Sequence, residues 1–228
     1  MKQLYIGNKN YSSWSLRPAV LMRSLEIPFE EVLVPFDGPD NYQRYKAFSP
    51  NGRVPCLHDD DEIIWDSLAI IEYLGERNKQ VWPTSGPARA FARSASSEMH
   101  AGFHVLRAHC PMICSAQFRI RELSPGLRRD LSRLDDLFCE GLTRFGGDFL
   151  SGARFSAVDA FFCPVAIRVV HYALPLSQPS LDYCHRLLAL DAMRDWMSAA
   201  QKEPWFDETE EATARIHADF LEDKRTLI

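Results

Sequence analysis

The stretch that decides the fold is Asn51-Gly52-Arg53-Val54-Pro55-Cys56-Leu57, followed by Trp65-Asp66-Ser67-Leu68-Ala69-Ile70-Ile71-Glu72-Tyr73-Leu74. A proline stands just before an apolar run. A charged turn, Asp59-Asp60-Asp61, separates that run from a second one, and an acidic residue with a serine then opens a helical pattern. Proline removes a backbone donor at a strand edge and, in the cis form, makes a sharp turn. The amide and carbonyl of Val54 are therefore expected to stay free for an extended ligand that pairs as an added strand. Asp66-Ser67 at a helix start suits a small zwitterion: the hydroxyl and free amides hold a carboxylate, and the aspartate attracts an ammonium. Alone, a Val-Pro marks an edge strand and a serine at a helix start is a cap. In this order, roughly a dozen residues apart, the two make a binding signal.

Working outward, residues 2–7 read as a strand, Ser15 to Leu25 as a helix with Pro18 in its first turn, and Phe29 to Val34 as a second strand. A loop, Asp37-Gly38-Pro39-Asp40, precedes a short helical stretch to Phe48. Strands Val54–His58 and Glu62–Trp65 and the helix Ser67–Glu76 complete the order β-α-β-α-β-β-α. That order fits a small α/β domain with a mixed sheet and matches the thioredoxin-like fold. Residues 1–78 are expected to form it, and 79–87, with Trp82-Pro83, to form a linker. Residues 88–228 are expected to be an all-helical bundle domain. Its helices run from Ala88 to about Ile120 with a break at Pro111, from Gly126 to Phe145, and from Ser156 to Val170. One or two more fall within Leu181–Gln201, and another runs from Asp207 towards Leu221. Ser156-Ala157-Val158-Asp159 reads as a capping box, which serves folding rather than chemistry.

Hydrophobic residues make up 46% and charged residues 25%, as in a soluble globular chain. The net charge of −5, evenly spread, argues against a nucleic-acid or anionic-membrane partner. No signal peptide is visible, and no run approaches the roughly 18 apolar residues that span a bilayer. Cys56, Cys110, Cys114, Cys139, Cys163 and Cys184 are scattered through apolar surroundings and read as reduced thiols of a cytoplasmic protein. No metal site is expected: Cys110 and Cys114 lack ligand spacing, and the turn beside His58 lacks the glycine and glutamate of a calcium loop.

Asn10-Tyr11-Ser12-Ser13-Trp14-Ser15-Leu16-Arg17-Pro18 follows the first strand and opens the first helix, so three hydroxyls crowd a helix start. A hydroxyl donor and a helix N-terminus together can stabilise a thiolate near neutral pH. With Val54-Pro55, Asp66-Ser67 and the Ser156–Asp159 box, this segment resembles the serine-type glutathione transferases from Lys2 to about Trp205. It resembles most the zeta class, with its S-S-C-S motif, and a bacterial subgroup of undefined substrate. The resemblance implies a homodimer that binds glutathione and adds its thiolate to a small electrophile. It implies catalytic Ser12 with Ser13 beside it, and glutathione contacts from Arg53, Val54, Pro55, Asp66 and Ser67. Tyr5 and Tyr11 are the alternative hydroxyls. Glu98 is placed to reach the γ-glutamyl ammonium across a dimer.

Two positions depart from the zeta pattern. Trp14 stands where that class has cysteine, and His171 where it has a substrate-binding arginine. Trp14, Arg107 and Arg168 are expected in the second-substrate pocket, because an arginine amid apolar residues needs an anion. No cysteine lies between Asn8 and Arg17, which excludes disulfide chemistry by a protein thiolate there. Two other readings remain open: a zeta-like cis–trans isomerase of the maleylacetoacetate type, with glutathione as a recycled cofactor, and a non-catalytic binding module on the same fold.

Overall fold

Four short strands form one mixed sheet in a computed structural model that describes residues 1–36, 38 and 40–226. Asp37 and Pro39, in the loop expected after the second strand, lie outside the described residues. Strand β1 (Gln3–Ile6) pairs parallel with β2 (Glu30–Leu33) and antiparallel with β3 (Cys56–Asp59), which pairs antiparallel with β4 (Glu62–Trp65). The order across the sheet is β2-β1-β3-β4. A parallel pair needs a crossover, and α1 (Ser13–Ser24) supplies it. The short α2 (Asn41–Lys46) and then α3 (Ser67–Arg77) complete the expected β-α-β-α-β-β-α order. Leu4, Ile6 and Leu57 of the sheet are fully buried with Leu16 and Val20 of α1 and Ile70 and Ile71 of α3. These residues repeat at strand and helix periods, which is why one face of each element is apolar.

The second half is built on α4 (Gly86–Ala101), α5 (His104–His109), α6 (Pro125–Phe145), α7 (Ala157–His171), α8 (Gln178–Leu188), α9 (Asp191–Ala200) and α10 (Glu208–His217). Nearly every residue of α7 is buried, so this helix is the axis of the bundle. Its start is the expected capping box, with the Ser156 amide donating to Asp159 Oδ2 at 2.9 Å. Asp159 also accepts from the Leu150 amide at 3.1 Å and the Tyr183 hydroxyl at 2.9 Å. No helix among the described residues is long and apolar enough to cross a membrane.

The helical half differs from expectation in three places. The helix expected from Ala88 to Ile120 ends at Ala101, because Gly102 is extended and Phe103 is left-handed at φ +56°. After Pro111 the chain becomes strand β5 (Ala116–Ile120), which pairs antiparallel with β6 (Ala218–Asp223). The strand-free second half is thus corrected to a helical bundle carrying a two-stranded ribbon, and the last helix stops at His217 rather than Leu221. Ala116 and Phe118 are buried at strand spacing, but their partner strand lies about a hundred residues away. The first helix starts at Ser13, so Ser12, not Ser15, holds the cap position.

Candidate functional site

The loop from β1 to α1 is clamped by the helical half. Glu203 accepts the amides of Lys9 and Asn10 at 2.8 and 3.1 Å, and Trp196 Nε1 donates to the Lys9 carbonyl at 2.9 Å. Asn10 holds the segment before β5, its carbonyl taking the Cys114 amide at 3.1 Å and its Oδ1 the Ser115 amide at 2.8 Å. The clamp fixes Tyr11, Ser12 and Ser13 at the mouth of α1. Both serines line a cavity of about 500 Å³ at the seam of the two halves.

Ser12 donates to Ser15 Oγ at 2.7 Å and caps no first-turn amide. The Ser13 hydroxyl has no hydrogen-bond partner among the described residues, so the two hydroxyls differ in what they can offer a ligand. Tyr11 has its hydroxyl engaged elsewhere. It donates to Glu211 Oε1 at 3.2 Å and accepts from Arg225 at 3.3 Å. Burial, with the Glu211 charge, pushes the Tyr11 phenol up to about 12. Tyr5 stacks on Phe48 at 4.4 Å, away from the cavity.

The opposite wall carries Arg53 and Val54, followed by the buried Pro55. The Val54–Pro55 peptide is cis. Neither the amide nor the carbonyl of Val54 is paired among the described residues. The chain reaches Val54 through Gly52 at φ +64°, where a Cβ would meet the Tyr42 ring at 2.6 Å. Glycine is therefore the residue that lets this loop pack against α2.

Asp66 and Ser67 lie outside the cavity wall. Asp66 caps α3 through the Leu68 amide at 2.7 Å and sits at φ +72°, a conformation rare outside glycine. Its other oxygen is 3.5 Å from His100 Nε2. Ser67 is buried, and its Oγ accepts from Arg17 Nη1 at 3.4 Å. Trp14 stands between this corner and the cavity. Its ring meets the edge of His100 at 5.2 Å and carries Arg17 at 4.2 Å and Arg107 at 4.9 Å. Burial lowers the proton affinity of His100, the Asp66 charge opposes this, and Arg17 and Arg107 add to the lowering.

Arg107 and Arg168 both line the cavity. Arg168 gives Nε to the Cys110 carbonyl at 2.8 Å and Nη1 to the Pro164 carbonyl at 3.2 Å. Arg107 gives Nε to the Gly102 carbonyl at 3.1 Å, and its Nη2 reaches the carbonyls of Met99 and His100. His171 does not line the cavity; it is buried with Nδ1 against the Ile113 carbonyl at 3.2 Å. Glu98 forms a bidentate pair with Arg133 of its own chain at 2.6 and 2.8 Å. Sequence reasoning missed Arg17, His100 and Glu203. Arg17 was the most legible of these, since it lies on the buried stretch of α1 two positions after Ser15.

The sequence pattern of the glutathione S-transferase N-terminal domain matches residues 11–77, which hold both serines, Val54-Pro55 and Asp66-Ser67. The chain is 26% identical over 215 residues to the glutathione S-transferase-like protein OpS6 of Beauveria bassiana, covering 89% of this chain and 91% of that one. It is 23% identical over 196 residues to the maleylacetoacetate isomerase of Rattus norvegicus, covering 84% and 89%. A crystal structure of a glutathione transferase homolog from Burkholderia, strain BGR1, with bound glutathione superposes with a TM-score of 0.66. It is 20% identical and covers 88% of this chain and 97% of that one. Residues 11–77 thus match a glutathione S-transferase N-terminal domain, and the chain as a whole shares the fold of glutathione transferases.

Proposed function

We propose that this protein is a glutathione transferase that adds the thiolate of glutathione to a small electrophile. One observation carries the reading: Val54, whose amide and carbonyl are unpaired among the described residues, lines the same cavity as Ser12 and Ser13. An extended peptide-like ligand satisfies the first as an added strand, and its thiol then falls to the serines. In this reading the γ-glutamyl end lies at Asp66 and Ser67 and the cysteinyl backbone on Val54, with Arg53 and Pro55 shaping the edge. The left-handed Asp66 supports the corner's role, since strained backbone persists where function holds it.

Ser12 is the proposed donor to the thiolate and Ser13 its neighbour. For Ser12 the step exchanges a neutral bond to Ser15 for a charge-assisted one. The free amides of the first turn of α1 add to the stabilisation of the anion. With the thiol proton lost to solvent, the sulfur forms the new bond as a π bond of the electrophile opens and takes a proton from solvent, or as a leaving group departs with its bonding pair. Trp14, Arg107 and Arg168 are the proposed second-substrate side.

The proposed division is a thioredoxin-like domain over residues 1–78, a linker over 79–87 and a helical domain over 88–228. Its support is the end of α3 at Arg77 and the start of α4 at Gly86. A cytoplasmic homodimer is the proposed assembly, following the resemblance; Glu98 is not needed for it, being paired within its chain. The similarity to the rat isomerase keeps the isomerase reaction as the second reading, with Ser12 and Ser13 in the same roles. Calorimetry with glutathione is the test. Uptake, followed by turnover of a panel of electrophiles without consumption of maleyl-type diacids, supports the transferase. Isomerisation of a maleyl diacid with glutathione recovered unchanged selects the isomerase, and no uptake overturns both.

A further inference from the structure

Two guanidinium groups, Arg17 and Arg107, gather on the Trp14 ring, and Arg168 lies close enough to act on both. Arg17 is 1% exposed, lies over the Trp14 ring at 4.2 Å and the Phe161 ring at 5.0 Å, and has a buried Nε without a partner. Arg107 takes the Trp14 ring at 4.9 Å. Arg168 is 5% exposed. Among the described residues no carboxylate comes within 4.0 Å of any of the three guanidinium groups. Their charges act on one another: burial lowers the proton affinity of Arg17, Arg107 and Arg168 lower it further, and the Asp66 charge opposes this in part.

The nearby acids are otherwise engaged. Asp130 accepts the Leu106 amide at 2.9 Å, and Asp207 caps α10 through the amides of Thr209 and Glu210 at 3.0 and 3.1 Å. Glu210 lines the cavity within electrostatic reach of Arg168, but burial, with Asp207, raises its proton affinity against the pull of Arg168, and it makes no ion pair with it. The bonds that Arg107 and Arg168 do make go to neutral carbonyls, which orient a guanidinium without cancelling its charge. A buried cation without a counter-ion is costly, and ring faces offset only part of the cost. Arg17 lies against Ser67, at the corner assigned to glutathione. Arg107 and Arg168 instead open on the cavity beside Ser12.

We propose that Arg107 and Arg168 form an anion subsite for the second substrate, so that the electrophile of this enzyme carries a carboxylate. Trp14 is the positioning residue: its ring holds Arg17 and Arg107 where an acid would otherwise be needed. The inference rests on the glutathione reading above.

The test compares 4-chloro-3-nitrobenzoate with its methyl ester on the glutathione-saturated protein. In both, the thiolate sulfur forms the C–S bond and chloride leaves with the electron pair of the C–Cl bond. Each kcat/KM is divided by the uncatalysed rate with glutathione, which removes the ester's greater intrinsic reactivity. The acid is expected to be favoured by at least about tenfold, the effect of a charged hydrogen bond. Arg168→Met and Arg107→Met are each expected to bring that preference towards unity. A wild-type ratio near or below unity overturns the subsite, and this comparison needs no variant to fold. Calorimetry with 4-nitrobenzoate and methyl 4-nitrobenzoate reads the subsite without turnover, and equal affinities overturn it. A protein that binds nitrobenzoate tightly but no glutathione keeps the anion site and loses the transferase reading.

Discussion

At the start of α7 one acid answers three donors. Asp159 closes the box on the Ser156 amide, the Leu150 amide and the Tyr183 hydroxyl, and the whole cluster is buried. At the start of α1 a serine holds the same position, but no acid lies in the first turn. The Ser12 hydroxyl turns to Ser15, the Ser13 hydroxyl has no partner among the described residues, and a cavity faces both. In sequence the two starts look alike, as serines ahead of an apolar run. What separates them is whether the helix's orphan donors are satisfied from within. A closed start is structure, whereas an open one keeps its hydroxyls and positive end for an anion.

Removing the acid that closes α7 should have the largest effect. Asp159→Ala leaves three buried donors without an acceptor and should cost about 3–5 kcal/mol in chemical denaturation. A loss under about 1 kcal/mol would mean the box is not what closes this helix. Asp159 also links stability to pH. Burial pushes its carboxyl up to about 6, its hydrogen bonds opposing this. The native state then holds a proton that the unfolded chain has released. Stability should therefore fall as pH rises from about 4 to about 6, by up to about 3 kcal/mol from this group. Asp159→Asn should flatten that slope, and a slope unchanged in the variant would assign it to another group.

At the open start the effect should appear in turnover. Ser12→Ala should lower kcat on the order of 10- to 100-fold, with glutathione affinity changed much less, because its hydroxyl serves the sulfur. The kcat/KM profile should move to higher pH as the bound thiol loses a donor to its ionised form. A larger loss in Ser13→Ala would make that hydroxyl, which has no partner among the described residues, the donor instead.

The two starts also mark how far the sequence could be read. The strand and helix order of residues 1–78 was legible because each element shows its own period and its own punctuation. The Val54 and Asp66-Ser67 signals were legible because they depend on backbone and on neighbours in the chain. The arginine cluster was legible only in part. Arg107 and Arg168 stood out as charges among apolar residues, but Arg17 becomes a site residue only when Phe161 of α7 packs on it. The Glu203 clamp and the β5–β6 ribbon escaped because their partners lie far along the chain. Contacts between distant segments leave no periodic trace, so Ala116–Ile120 read as helix and Glu203 carried no signal.

Ser67→Ala tests the corner that lies outside the cavity. Its hydroxyl accepts from Arg17, which leaves its own proton free for a carboxylate. The variant should weaken glutathione binding by about 1–3 kcal/mol in calorimetry. Unchanged affinity would move the γ-glutamyl end away from Asp66-Ser67, and the open start of α1 would then need a different ligand.

The smallest effect is the sharpest test of the difference between the two serines. Ser156→Ala removes a capping hydroxyl but leaves Asp159 to hold the Ser156 amide, so the box is weakened rather than opened. The hydroxyl's other bonds go to Ser151 at 3.0 Å and to Asp159 at 3.3 Å. The loss should be about 1 kcal/mol of stability, the usual cost of a cap, with glutathione turnover unchanged. Ser12→Ala is the same chemical change at the other helix start and should show the reverse weighting, with turnover affected more than folding. If Ser156→Ala depresses turnover as far as Ser12→Ala does, the clamp between the halves transmits helix stability to the cavity. The two starts would then not be independent.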